Sequence, residues 1–321
     1  MHLHTSRRRV PVARGAVSAL VAAAACWGLG TVTSKQVVDD VAPLTLLPVQ
    51  LTASCALLLA ITVVRRESFA WTPPMRRLTA LGVLNPGIAY ALGLIGLTTI
   101  TASMSVLLWA LEPVVIMLLA ALVLREHIPP TLAAAVAVAI AGVLLVVYQP
   151  GATGEAVGIT LTVVSIGFCA LYSVLTRRLL LDDSSLNVVL AQQAAALVFA
   201  FALATVVALA DGPGWDLGGH DAGDWAGAAA SGVLYYGLGF WFFVTGLRRV
   251  PASVAGSFLP LIPVFGLAAG YLVGEWLEPR QWVGAVVIVA AIAAIAVRQR
   301  AGAAVALGES STSHLAKSRS R

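Results

Sequence analysis

Ten stretches of this chain run for about twenty residues, or close to it, with almost no charge, the length a helix needs to cross a hydrocarbon core of about 30 Å. They lie at 16–38, 43–64, 78–97, 101–124, 131–149, 156–176, 185–210, 226–247, 251–274 and 281–297. A backbone in lipid must satisfy its own N–H and C=O groups, so such runs fold as helices. Soluble domains carry roughly 25% charged residues. Here 59% of residues are hydrophobic and 11% charged, with a mean hydropathy of +0.91, which leaves little of the chain for a water-soluble domain. The expected fold class is an all-α integral membrane protein with the lipid bilayer as its surroundings.

The ten runs fall into two sets of five. Gly96 to Ser103 is echoed by Gly246 to Ser253, and Leu111, Pro113, Val114, Leu122 and Val123 recur as Leu261, Pro263, Val264, Leu272 and Val273. Leu29, Val32 and Lys35 of the first segment align with Leu171, Val174 and Arg177 of the sixth. An odd number of crossings makes the second copy enter from the opposite side, so the ten transmembrane helices are expected as two inverted five-helix repeats. The boundaries follow: a cytoplasmic segment 1–15, a first repeat 16–149, a second, inverted repeat 150–298, and a disordered cytoplasmic tail 299–321. The run Ser6 to Val10 resembles a twin-arginine export signal, but the repeat relation makes the first helix part of the fold, and it is read as a retained first span.

The net charge of +5 is dispersed over short loops and both ends, which argues against a nucleic-acid partner and for a topological signal. With a cytoplasmic N-terminus, eighteen Lys and Arg fall inside and only Lys35 and Arg280 outside. The longest external loop, Asp211 to Trp225, holds four Asp and no Lys or Arg. Both termini are therefore expected in the cytoplasm, in a bacterial inner membrane. Cys26, Cys55 and Cys169 lie in three different apolar segments, and no disulfide is expected.

Glu112 is the one ionisable group expected near the bilayer centre, roughly 17 Å into the fourth segment at 1.5 Å per residue. A charge there costs roughly 2.5–3.5 kcal/mol on insertion scales, so the carboxyl faces a partner or a water-filled cavity, or carries a proton. Two readings stand side by side: a hydrogen-bonded tie between helices, or a substrate or proton site. Pro113 should free the carbonyl of Trp109 and open the helix beside the carboxyl. Pro260 and Pro263 interrupt the ninth segment, and paired interruptions point to a transporter's binding site. Asn85-Pro86-Gly87 in the third segment is matched by Tyr235-Tyr236-Gly237 in the eighth. With Trp27, Tyr90, Trp109, Tyr172, Phe240 and Trp241 these residues are candidate walls of an aromatic chamber. Lys35, at the external end of the first span, either snorkels to head groups near Asp39 and Asp40 or marks the mouth of the pathway. Gly266, Gly270 and Gly274 form a close-packing face.

No Gly-Lys phosphate loop and no His-Glu-x-x-His metal pair occurs, and no catalytic residue, metal or cofactor is expected. Taken together, Trp27-Gly28 with Lys35, the stretch Pro113 to Glu126, and Pro263 to Gly274-Glu275 resemble the drug/metabolite transporter superfamily, EamA type, over about residues 16–298. The resemblance implies ten spans, cytoplasmic termini and a central cavity that opens to alternate sides. The chain departs from it at Gly30, where many relatives carry a polar residue, and at Arg125, where glycine often precedes the glutamate. Glu126 and Glu275 fall at membrane faces and are read as capping or packing residues. The function expected is a secondary transporter, not an enzyme, exporting a small organic metabolite such as an amino acid, as a monomer or homodimer. The alternative is a proton-coupled extruder of cationic drugs. An intramembrane enzyme fits less well because it needs two or more convergent polar catalysts, and a scaffold because it needs no buried carboxylate.

Overall fold

The computed structural model describes residues 9–38, 41–97, 99–100, 108–147, 155–180, 183–210, 215–272 and 278–298. Every regular element among them is a helix. In chain order these are α1 (Arg9–Val38), α2 (Pro43–Val64), α3 (Pro73–Gly82), α4 (Ala89–Leu97), α5 (Glu112–Val123), α6 (Pro130–Val147) and α7 (Ala156–Leu179). They continue as α8 (Ser185–Leu209), α9 (Ala222–Gly232), α10 (Phe240–Leu247), α11 (Ala252–Gly256), α12 (Leu261–Leu272) and α13 (Pro279–Arg298). A kink within Val83–Ile88, at Asn85, separates α3 from α4, and a π-helical turn at Val233–Gly239 joins α9 to α10. Seven helical stretches are long and apolar enough to cross a membrane, counting α9 with α10 and α11 with α12 as one each. The molecule is a multi-pass membrane protein. Its outer surface fits that environment, with Leu122, Val198 and Leu209 all more than 70% exposed, as lipid-facing side chains are.

The fourth segment differs from the expectation of one helix over 101–124. A turn closed by the Leu111 N–H donating to the Leu108 carbonyl (2.9 Å) precedes α5, which starts only at Glu112. Pro113 therefore sits in a first helical turn rather than in mid-helix. The reason is steric and electronic: proline has no N–H to give, and its fixed φ suits the start of a helix. The ninth segment repeats the device. Leu259, Leu261 and Ile262 donate to the carbonyls of Gly256, Phe258 and Leu259, a tight turn that separates α11 from α12, with Pro260 before the new helix and Pro263 in its first turn.

The two sets of helices interleave. α1 packs on α9, α10 and α12, α2 on α8 and α9, α3 on α8, α4 on α7, and α5 on α7 and α11. Contacts repeat across the two copies. Gly82 seats on the backbone of Gln192 in α8, and Gly232 seats on the backbone of Gln50 in α2, each so closely that a methyl group would overlap it. Gly142 and Gly284 face each other where α6 crosses α13; a Cβ on either would come within 2.9 Å of the other's carbonyl oxygen. Polar side chains add ties around these crossings: the Gln50 amide donates to Ser231 of α9 (2.9 Å) and to Ser34 of α1 (3.1 Å), and the Tyr172 hydroxyl of α7 donates to Gln192 of α8 (2.8 Å). Gly28 lies against Ile262 and Gly266 of α12, a close crossing at one of the three glycines expected to form such a face; Gly274 lies outside the described residues. Cys26, Cys55 and Cys169 are free.

Candidate functional site

Four interrupted segments converge on one cavity of about 490 Å³. Each interruption leaves backbone groups that a continuous helix would have paired. In the third segment Asn85 adopts an extended backbone (φ −149°, ψ 122°), and the hydroxyl of Ser165 on α7 donates to the nearby Ala89 carbonyl at 2.6 Å. In the eighth, the Gln193 amide donates to the Tyr236 carbonyl at 3.3 Å. These cross-helix bonds hold the kink and the π-helical turn in place. Such turns re-aim the side chains that follow them.

The walls are aromatic. Trp27 meets Phe240 edge-on with centroids 5.5 Å apart, Tyr90 stacks beside Trp109 at 6.4 Å, and Tyr172 meets Phe240 at 5.9 Å. The Tyr90 hydroxyl donates to that of Tyr235 (2.8 Å), so a residue just after the third-segment break is bonded to one within the eighth-segment break. Glu112 opens α5 at the cavity wall and is the only Asp, Glu, Lys, Arg or His among the lining residues. The partial positive charge of a helix N-terminus favours an acid in that first turn. Among the described residues its carboxyl has no hydrogen-bond or ion-pair partner, whereas the interhelical-tie reading would require one.

The sequence candidates separate cleanly. Trp27, Asn85, Tyr90, Trp109, Glu112, Tyr172, Tyr235 and Phe240 all line the cavity, as do Pro113, Pro260 and Pro263. Tyr236, Trp241 and Pro86 do not. Tyr236 stacks behind Phe240 at 6.2 Å, and Trp241 turns outward to lie beneath the Arg65 guanidinium, 5.0 Å from the ring centroid. Successive helical residues point about 100° apart, so Phe240 facing inward sends Trp241 away. Pro86 is buried at the break itself. Lys35 belongs to α1, but its side chain lies outside the described set, as do Asp39, Asp40 and Glu275.

Four lining residues with polar, sulfur-bearing or aromatic side chains were not among the sequence candidates: Thr31, Cys169, Ser173 and Phe243. A signal was present for three of them. Trp27 and Thr31 share one face of α1 at a spacing of four, and Cys169, Tyr172 and Ser173 share one face of α7 at spacings of three and four. At one end of the cavity the halves are clasped. The Glu126 carboxylate accepts from the Ala252 N–H (2.8 Å), the Ser253 N–H (3.1 Å) and the Ser253 hydroxyl (2.6 Å), capping α11 from across the repeat boundary. Close by, the Arg177 guanidinium donates to the Val250 carbonyl (3.0 Å).

The sequence profile of the EamA-like transporter family matches residues 14–148 and again 156–297. A protein of Bacillus subtilis (strain 168), described as an uncharacterized transporter, YyaM, is 26% identical over 214 residues, spanning 65% of this chain and 69% of its own. A solved crystal structure of a protein superposes with a TM-score of 0.76, covering 89% of this chain and 98% of that one at 19% identity, a likeness that shows the fold alone.

Proposed function

The chain belongs to the EamA-like transporter family, and from that premise we propose that it exports a small organic solute, such as an amino acid or related metabolite, by alternating access around the cavity described above. In this reading ten spans form two inverted five-helix repeats, 16–149 and 150–298, with both ends cytoplasmic in a bacterial inner membrane. No catalytic residue, metal or cofactor takes part. The observation that carries the reading is the convergence of breaks from the third, fourth, eighth and ninth segments on one cavity between the two copies. In the proposed orientation the turn at Arg248 and Arg249 is cytoplasmic. The Glu126 clasp then closes the inner end of the cavity, and Thr31, Val143 and Leu267 line its outer part.

Glu112 favours a second reading, proton-coupled extrusion of a cationic compound. A proton and a cation competing for one carboxylate keep the occupied site neutral in each half of the cycle, which limits the cost of charge inside the bilayer. Among the described residues the other titratable side chains lining the cavity are Tyr90, Cys169, Tyr172 and Tyr235.

Solute counterflow in proteoliposomes, with solutes first chosen by thermal shift against a metabolite library, tests the carrier. Trans-loaded solute should accelerate uptake of labelled solute; binding without such acceleration refutes alternating access. Reporter fusions test the topology. Fusions at Ala301 should be active in the cytoplasm and fusions within 211–225 in the periplasm, and the reverse pattern sinks the ten-span arrangement.

A further inference from the structure

The polar groups of the cavity sort solutes by head group. Its one charged side chain is the Glu112 carboxyl, an acceptor when ionised. A second acceptor is the Asn85 amide oxygen: Asn85 is only 5% exposed and lines the cavity, and its Oδ1 has no partner among the described residues. Among the described residues no Lys, Arg or His lines the cavity.

In broken-helix carriers the usual alternative is a half-helix N-terminus, whose free N–H groups hold a substrate carboxylate. α12 presents its N-terminus here, but most of its donors are spent or missing. Leu259, Leu261 and Ile262 already donate to carbonyls of the preceding turn, at 3.1, 3.1 and 2.9 Å, while positions 260 and 263 are prolines with no N–H. The matching N-terminus, that of α5, carries Glu112 itself in its first turn, which repels a second carboxylate. Around these acceptors stand Tyr90, Trp109, Tyr235 and Trp27, the last with an N–H donor that has no partner among the described residues, and their ring faces attract a cation and pack an aromatic body.

We propose that the solute of this cavity is the cationic compound of the second reading above, and specifically an aromatic or similarly bulky apolar amine, bound as a monocation by Glu112 and Asn85. The assignment rests on the carrier reading and narrows its substrate to a chemical class. The ammonium seats against the first repeat, where both acceptors lie, and the ring lies among the aromatic walls.

Three probes share one ring system and differ only in head group: tryptamine (cation), L-tryptophan (zwitterion) and indole-3-propionate (anion). Equilibrium binding of each to the full-length purified protein in nanodiscs, by scintillation proximity with the tritiated compounds, should place tryptamine at least about ten-fold tighter than tryptophan, with the propionate weakest. The Glu112→Gln variant should lose most of the tryptamine affinity and with it the preference for amine over zwitterion. Because the wild-type series alone ranks the head groups, the test does not depend on that variant folding. Tryptophan or the propionate binding as tightly as tryptamine, or none of the three binding, overturns the assignment. Either result leaves the carrier reading to its own counterflow test, so the two fail separately.

Discussion

Glu112-Pro113 in the fourth segment and Ile262-Pro263 in the ninth hold corresponding places in the two copies, each in the first turn of a helix that restarts after a break, and all four residues line the cavity. Their backbones are alike and their side chains are not. The third and eighth segments differ in backbone as well as side chain, with an extended Asn85 at a kink on one side and Tyr235 within a π-helical turn at the matching position on the other. Duplication thus supplies a paired scaffold, and departures from the pairing supply the chemistry. At these matched positions the first copy contributes the carboxyl and the amide, while the second contributes an aliphatic side chain and a ring.

The largest effect should come from breaking that asymmetry at its charged member. In proteoliposomes with an imposed pH gradient, Glu112→Gln should reduce solute flux to background while protein yield and folding are kept, because the amide preserves shape. Ile262→Gln, which places the same amide at the corresponding point of the second copy, should leave flux measurable and dependent on pH. Equal losses from the two substitutions would mean that the copies contribute alike and that Glu112 has no special role.

The scaffold itself should respond symmetrically. Gly82→Ala and Gly232→Ala each push a methyl group into a backbone carbonyl of the other copy, and both should lower thermal stability by about 1–3 kcal/mol, the usual range for overpacking. A difference between them larger than the cost of either would show that the paired crossings are not equivalent. The smallest effect is expected at the clasp. Glu126→Ala removes the cap on α11, and should cost about 0.5–2 kcal/mol in unfolding experiments while raising the reactivity of Cys169 toward a thiol reagent applied from the cytoplasmic side. Unchanged reactivity would leave Glu126 as a helix cap without a gating role.

Much of this was legible in the residues. The apolar runs place the helices to within a few positions, and the recurrence of Pro113 as Pro263 locates both breaks. Glu112 stands out because a lone acid in an apolar run is conspicuous whatever surrounds it. The local consequence of Pro113 was less legible, since a proline reads the same whether it kinks a helix or begins one; the turn at 108–111 decides between them. Trp241 and Tyr236 looked as fit for the chamber as Tyr235 and Phe240, and Cys169 looked like inert filling. The Glu126 carboxylate, expected at a membrane face as a capping or packing group, has partners 126 and 127 positions away, beyond the reach of any local pattern.

By itself, the amino-acid sequence determined that the chain is helical and membrane-embedded, that it is built of two related copies, and that one carboxyl lies among apolar residues. Each of these is a property of neighbouring residues or of their repetition. Only the tertiary structure decided which face of each helix turns to the cavity, that the Tyr90 and Tyr235 hydroxyls meet, and that Leu261 and Ile262 at the start of α12 already donate. The reason is the solvent. In water a helix advertises its inward face by polarity, but lipid is as apolar as a protein core, so a helix apolar on all sides carries little record of its own rotation. That rotation is set by close packing between distant segments, such as Gly82 on Gln192 and Gly28 on Gly266, and those contacts exist only once the helices have met.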